Sequence, residues 1–273
     1  DFMGRNKLWL TITGAAVVVC IAFLATRGLS QSIDFTGGRN FKVQFENPVE
    51  PEQVRELIAS KFGDANVSVI AIGTDKKTVR ISTNYRIEDA GNNVDSEIES
   101  YLYETLKPVL TQNISLETFI DRDNHTGGSI VSSQKVGPSI ADDIKTGAIY
   151  SVVLALLAIG LYILLRFRNI AYSIGSIVAL SCDTIMIIGA YSLFWGILPF
   201  SLEIDQTFIG AILTAIGYSI NDKVVIFDRV REFFGLYPKR DKRQLFNDSL
   251  NTTLARTINT SLSTLIVLLC IFI

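Results

Sequence analysis

One histidine, three cysteines and six prolines in 273 residues leave little material for metal or disulfide chemistry. Cys20, Cys182 and Cys270 each fall inside an apolar run. They lie too far apart for a disulfide framework or a metal-ligand cluster, and read as thiols packing against helices. His125 sits in the polar stretch 121–128 and reads as a solvated loop residue without a role. No phosphate-binding loop, nucleophile elbow or metal-spaced cluster occurs, which argues against an enzyme and against any cofactor or metal. Charge is scarce too. Asp, Glu, Lys and Arg make up 19% of the chain, against about 25% in soluble proteins. A net charge of −2 with no basic cluster outside the loops excludes nucleic acid as a partner.

Apolar residues are what the chain has in quantity, at 48%. Runs at 8–25, 148–165, 171–193 and 208–227 reach the roughly 18 to 20 residues that cross a hydrocarbon core as helix. A fifth run begins near Thr257 and is still apolar at Ile273. Starting at Asp1 and stopping inside a span, the chain reads as part of a longer protein. Arg5 and Lys7 precede the first run, but no small-x-small cleavage site follows, so it is expected to stay as an anchor.

Basic residues in short loops stay cytoplasmic. Arg5 and Lys7, then Arg166 and Arg168, then Arg229 to Arg243 mark three inside segments, the last with a cytoplasmic loop at 232–251. The connection 195–206 carries Glu203 and Asp205 and no basic residue, so it is placed outside with the segment 28–147. That segment reads as strand 40–46, helix 51–62, strand 67–72, strand 78–82, helix 94–110 and strand 114–119, the ferredoxin-like order. A loose linker is the alternative to a helical connection into the second span, and the stretch 121–134, rich in Gly, Ser, Asn and Asp, would serve as one. Pro138 after Gly137 is expected to open a helix that continues into the second span. The expected architecture is a helical polytopic membrane bundle with five spans here, the last incomplete, and one α+β ferredoxin-like domain. Its divisions are 1–27, 28–147 and 148–273.

Ionisable residues inside a span are costly and face a bundle interior or a water path. Asp183 interrupts the third span, Ser219, Asn221, Asp222 and Lys223 the fourth, and Arg256 with Asn259 opens the fifth. Gly210, Thr214, Gly217 and Asn221 make one small, polar stripe with Asp222 at its edge, and Arg256, Asn259 and Ser263 make another. Two readings are open for Asp222 and Arg256. They form a proton relay, or they form a static ion pair with Lys223 and Arg256 snorkelling toward water. For Asp183 the leading reading is hydrogen bonding through Ser176 and Ser181.

Four ordered elements resemble one family. Ile33-Asp34-Phe35-Thr36-Gly37-Gly38 is similar to the IDFTGG signature of SecF, and Val136-Gly137-Pro138 to its VGP. The stretch from Ile216 through Gly217 to Asn221 and Asp222, followed by Phe227-Asp228-Arg229-Val230-Arg231-Glu232, resembles IGYSxND and DRxRE. Arg256-Thr257-Ile258-Asn259-Thr260-Ser261 resembles RTINTS. The resemblance implies a subunit of a proton-driven complex of the resistance-nodulation-division superfamily that assists Sec-dependent protein translocation across the bacterial inner membrane. Implied partners are SecD, separate or fused upstream, the SecYEG channel, YajC and YidC, the translocating polypeptide and the lipid bilayer. The family has six spans, five of them here, and takes an essential carboxylate from SecD. It often places His before the third-span Asp, where Cys182 stands. Other readings are a scaffold subunit of the translocon without energy coupling, and a fragment of a small-molecule exporter of the same superfamily.

Overall fold

Between the first two apolar runs, apolar and polar residues alternate in short stretches separated by amphipathic ones. The chain there folds as strands and helices rather than as spans. The computed structural model describes the chain outside 63–66, 74, 90–93, 112–113, 124–126, 199–201 and 273, with backbone only at 271–272. His125 therefore lies outside the described residues. The chain divides into two units, one made of Leu29–Tyr150 and Phe194–Ile209, the other of Asp1–Gly28, Ser151–Leu193 and Gly210–Ile273.

The helical unit carries α1 (Asn6–Arg27), and the domain begins with the short α2 (Ile33–Thr36). Next come β1 (Gly38–Gln44), α3 (Pro51–Phe62), β2 (Val67–Ile72), β3 (Thr78–Thr83), α4 (Val94–Leu106), α5 (Leu116–Ile120) and β4 (Ser129–Val136). The sheet order is β2-β3-β1-β4 and every pairing is antiparallel, which is the ferredoxin-like topology expected from the element order. Strand periodicity puts Phe41, Val43, Val79, Ile81 and Ile130 on one face, where they bury against Val54 and Ile58 of α3 and Ile98 and Leu102 of α4. The other face carries Ser68, Ile70, Arg80 and Ser82.

Two expectations fail at the end of the domain. The segment 114–119, expected as a strand, contains the helix α5 instead. Ser115 caps it by accepting from the Thr118 N–H at 3.2 Å, and Phe119 is fully buried beside Tyr103. The fourth strand comes largely from the stretch that would have served as a linker. Ser129 to Val136 pairs along the whole of β1, with a register shift between Lys42 and Val43. Its polar residues suit an edge strand, and Ile130 anchors it in the core. A smaller difference is α4, which stops at Leu106 rather than 110 because Pro108 follows.

Arg39 is the largest fully buried side chain. Its Nε donates to Asp95 Oδ1 at 2.8 Å and its Nη1 to the carbonyl of Tyr85 at 2.8 Å, tying β1 to the start of α4. Burial works against the Asp95 carboxylate, but Arg39 and Lys135 outweigh it and hold its pKa below the usual range. One turn on, burial raises the pKa of Glu99, only partly opposed by Arg122 at 3.7 Å. The two groups therefore act oppositely with pH. Asp95 stabilises the domain above the unfolded carboxylate pKa of about 4 and loses this as pH falls. Ionised Glu99 costs stability at neutral pH, and the cost disappears on acidification past the same value. Glu99→Gln should raise the denaturant midpoint of the full chain in detergent at pH 7, read by pulse proteolysis. The gain should vanish near pH 4.

Five helices among the described residues are long and apolar enough to cross a membrane: α1, α6 (Pro138–Phe167), α7 (Ile170–Phe194), α8 (Gln206–Leu236) and α9 (Lys242–Phe272). Within the helical unit α1 and α7 approach closely at Gly189, where an added Cβ would lie 2.3 Å from that of Cys20. Ser192 donates to the carbonyls of Phe23 and Gly28 at 3.1 and 2.6 Å. Ser173 of α7 donates to the Gly160 carbonyl of α6 at 2.6 Å. Cys20 thus packs as expected, whereas Cys270 lies on the exposed surface of α9.

The stretch 232–251, expected as a loop, is mostly helix. α8 runs on to Leu236, and α9, which carries the apolar run from Thr257, starts at Lys242. Pro238 ends the first, and Asp241, accepting from the Gln244 N–H at 3.2 Å, starts the second. Leu245, Ser249 and Thr253, spaced by four, form its buried stripe.

Candidate functional site

Consecutive residues on a helix point about 100° apart, so Asp222 and Lys223 of α8 cannot both face α7. Lys223 does. Its Nζ donates to Asp183 Oδ2 at 2.6 Å and to Ser219 Oγ, one turn earlier on α8, at 2.5 Å. Ser219 Oγ donates in turn to the same carboxylate oxygen at 2.5 Å. The ion pair within the spans is therefore Asp183–Lys223, with side chains 31% and 20% exposed. Ser176 and Ser181 do not serve Asp183. Their hydroxyls donate to the carbonyls of Tyr172 and Ile177 in their own helix, at 2.7 and 2.8 Å.

The expected Asp222–Arg256 pair does not form in this structure. Among the described residues no ion pair or side-chain hydrogen bond reaches either one. Arg256 is exposed and lines a cleft of about 330 Å³ between α8 and α9 with Asp228, Arg229 and Glu232; Asp222 is not part of that lining. Asn221 and Asn259 are exposed as well. So are Gly210, Thr214 and Gly217, and a Cβ at either glycine would meet nothing within 4 Å. Among the described residues no helix covers the polar stripe of α8.

The Phe227 to Glu232 element has a packing explanation. Phe227 stacks at 5.7 and 4.7 Å from Phe167 and Tyr172, Asp228 pairs with Arg166 at 3.3 Å, and Arg229 pairs with Glu232 at 2.7 Å.

A second set of motif residues meets in the domain. Gly38 pairs with Val136, and an added Cβ on Gly37 would lie 3.3 Å from Pro138 Cα. The two motifs, about a hundred residues apart in sequence, are neighbours. Phe35 is buried, and the Thr36 hydroxyl donates to the Ser32 carbonyl at 3.1 Å. Asp34 Oδ2 accepts from the N–H of Gln206, the first residue of α8, at 3.0 Å. A carboxylate there satisfies one orphan donor and opposes the positive end of the helix dipole. No contact within 4 Å demands a glycine at 137, and Pro138 opens α6 as expected.

Sequence reasoning passed over Glu203, using it only as an orientation marker. Its carboxylate accepts from Ser68 at 2.8 Å and Arg80 at 2.9 Å, both on the face of the sheet turned away from α3 and α4. Two grooves of about 420 and 580 Å³ run beside it, each lined also by Ser68 and Trp195.

Among known proteins, the family described as "Protein export membrane protein SecD/SecF, C-terminal" matches residues 117–273, and the SecD/SecF GG motif matches 22–49. The chain is 36% identical to protein translocase subunit SecF of Rhodothermus marinus over 272 residues, covering all of this chain and 81% of that one. SecF of Haemophilus influenzae is 29% identical, with 100% and 74% covered. The crystal structure of SecDF, a translocon-associated membrane protein from Thermus thermophilus, superposes with a TM-score of 0.74 at 27% identity over 97% of this chain. The chain spans 32% of that SecDF. Matched by the family model over more than half its length and by SecF relatives from end to end, this multi-pass membrane protein belongs to the SecF family of protein translocase subunits.

Proposed function

We propose that the chain is a subunit of a complex driven by the proton motive force, which assists Sec-dependent translocation across the bacterial inner membrane. Its partners are SecD, the SecYEG channel, YajC and YidC, and its substrate is the emerging polypeptide. The N-terminus and the segment around Lys239 are cytoplasmic, and the ferredoxin-like domain is periplasmic. Its role is mechanical contact rather than chemistry.

The observation that carries the proposal is the polar cluster in α7 and α8. An Asp183–Lys223 pair sits in mid-span, and Asp222 and Arg256 carry no charge partner among the described residues of this chain. Ionisable groups in spans without an internal partner belong to ion paths or to interfaces with other polar helices. The carboxylate that the resemblance expects from SecD would supply the missing charge for Arg256. A scaffold reading draws support from the same Asp183–Lys223 pair, because two mutually neutralised charges need no proton traffic.

Asp222→Asn keeps the volume and removes the titratable group. Gradient-dependent export, normalised to assembled complex, should fall at least tenfold while membrane insertion is unchanged. Arg256→Lys should be impaired as well, since it loses the planar five-donor fork. Gradient-dependent export at the normal rate in Asp222→Asn would overturn the relay and leave the scaffold. Cysteine placed at position 239 and labelled by an impermeant reagent from outside would overturn the orientation.

A further inference from the structure

The first turn of α8 belongs to the ferredoxin-like domain, while the rest of the helix belongs to the helical unit. What holds that turn in the domain is a set of bonds from three segments. Ile204 forms a parallel bridge with Gln31, its N–H donating to the Ser30 carbonyl at 2.8 Å and its carbonyl accepting from the Ser32 N–H at 2.9 Å. Glu203, one residue earlier, reaches Ser68 of β2 and Arg80 of β3. Asp34, three residues beyond Gln31, caps Gln206, two residues beyond Ile204. Asp205 adds the local cap, accepting from the Phe208 N–H at 2.9 Å.

The Glu203–Arg80 bond is shielded. Their side chains are 9% and 26% exposed, and Arg80 Nε is buried with no hydrogen-bond partner among the described residues. Removing Glu203 would leave that shielded guanidinium without its carboxylate partner. The helix runs without a break from Gln206 to Leu236, and 13 and 17 positions along it stand Ser219 and Lys223, the two residues that hold Asp183.

We infer that Glu203, Arg80, Asp34 and the Ile204 bridge form a clasp that stays closed and makes α8 the transmission element between the intramembrane polar cluster and the sheet. Glu203 and Arg80 are positioning residues, acting through α8 and touching no transported group. The inference rests on the energy-coupled reading above for its export readout, but its mechanical content can be read without it. Asp34 gains a reason in this arrangement. A motif carboxylate on the domain caps the N-terminus of the helix that carries the polar cluster.

The test uses the full chain in its assembled complex, with two readouts: gradient-dependent export, and amide hydrogen exchange at Ser32, Ile204 and Gln206. Glu203→Ala should speed exchange at these amides at least tenfold and cut gradient-dependent export at least fivefold, with assembled complex unchanged. Reversing the pair, Arg80→Glu with Glu203→Arg, should return both readouts to within threefold of the parent. A disulfide between Gln31→Cys and Ile204→Cys, in a chain lacking Cys20, Cys182 and Cys270, locks the bridge. The oxidised form should export within twofold of the same chain reduced. Loss of export on oxidation, restored by reductant, would show that the clasp must open and would overturn the inference. Faster exchange with undiminished export in Glu203→Ala would overturn it too. If the parent itself shows no gradient-dependent export, the functional proposal falls. Transmission is then judged by whether Asp183→Asn alters exchange at Ser32 and Ile204, and no change there overturns it.

Discussion

Lys223→Met should destabilise the helical unit more than any other single neutralisation in the spans, by about 2 to 4 kcal/mol. The substitution keeps the length of the stem and leaves Asp183 with a charge answered only by Ser219. Breaking a buried pair costs about 3 to 5 kcal/mol because the survivor stays unpaired. The partial exposure of these two side chains, 20% and 31%, argues for a smaller loss than a fully buried pair would give. Asp183→Asn combined with Lys223→Met removes both charges and should recover most of the loss, since an amide and a thioether carry no net charge into the bilayer. Denaturant unfolding in detergent of the two single variants and the double variant makes a cycle that isolates the pair. Additive losses, with the double as unstable as the sum of the singles, would mean that the two charges do not stabilise one another. Export by the double variant adds a separate answer. A stable but inactive double variant means that charge itself, and not helix packing, is what the cluster supplies.

The five spans were legible because their signal is length and composition, which no tertiary contact overrides. The ferredoxin-like order was legible for a similar reason, although the expected last strand was not the real one. Val67 to Ile72 and Thr78 to Thr83 announce themselves by β-branched residues, whereas Ser129 to Val136 offers only Ile130, Val131 and Val136 among polar neighbours. Its strand character comes from β1, a partner about ninety residues away, and not from local propensity. The segment 114–119 alternates like a strand, but a serine cap and the burial of Phe119 decide for helix. The spans hid the ion pair because Asp222 and Lys223 are adjacent, and hydropathy does not say which of them turns toward α7. A usable signal was present in the spacing of Ser219 and Lys223, four apart on one face, opposite a lone Asp183 on the neighbouring span. Glu203 carried no such signal. Its role depends on the fold of a connection that brings it to two strands, β2 and β3, more than a hundred residues earlier.

Gly38→Ala should be the most damaging substitution in the domain, and the reasons separate it from Gly37→Ala. Gly38 has φ +154°, and an added Cβ would lie 2.7 Å from Ile33 Cγ2 and 2.8 Å from the Thr83 carbonyl oxygen. Ile33 is buried and cannot swing away, and Thr83 is held in the β1–β3 ladder opposite Arg39. Backbone strain of about 1 to 3 kcal/mol then adds to an overpacking cost of about 1 to 3 kcal/mol. Together these are a large share of the roughly 5 to 15 kcal/mol that holds a domain folded. Gly37 has φ +72° and ψ 150°, a region open essentially to glycine alone, but its added Cβ would stand 3.3 Å from Pro138 Cα, a tight contact rather than a collision. Gly37→Ala should therefore cost about half as much, mostly as strain. Gly217→Ala is the control, since its Cβ would meet nothing within 4 Å. Pulse proteolysis of the full chain in detergent should show a large drop in the domain midpoint for Gly38→Ala, a smaller one for Gly37→Ala and none for Gly217→Ala. Equal midpoints for Gly38→Ala and the parent would mean that the double glycine is kept for something other than space. Gly38 is the first residue of the strand that pairs on one side with Thr83's strand and on the other with Val136, two residues before α6 begins. A displacement there acts on the registers of β3 and β4 together, so the loss should appear in exchange at both strands of the sheet rather than at the turn alone.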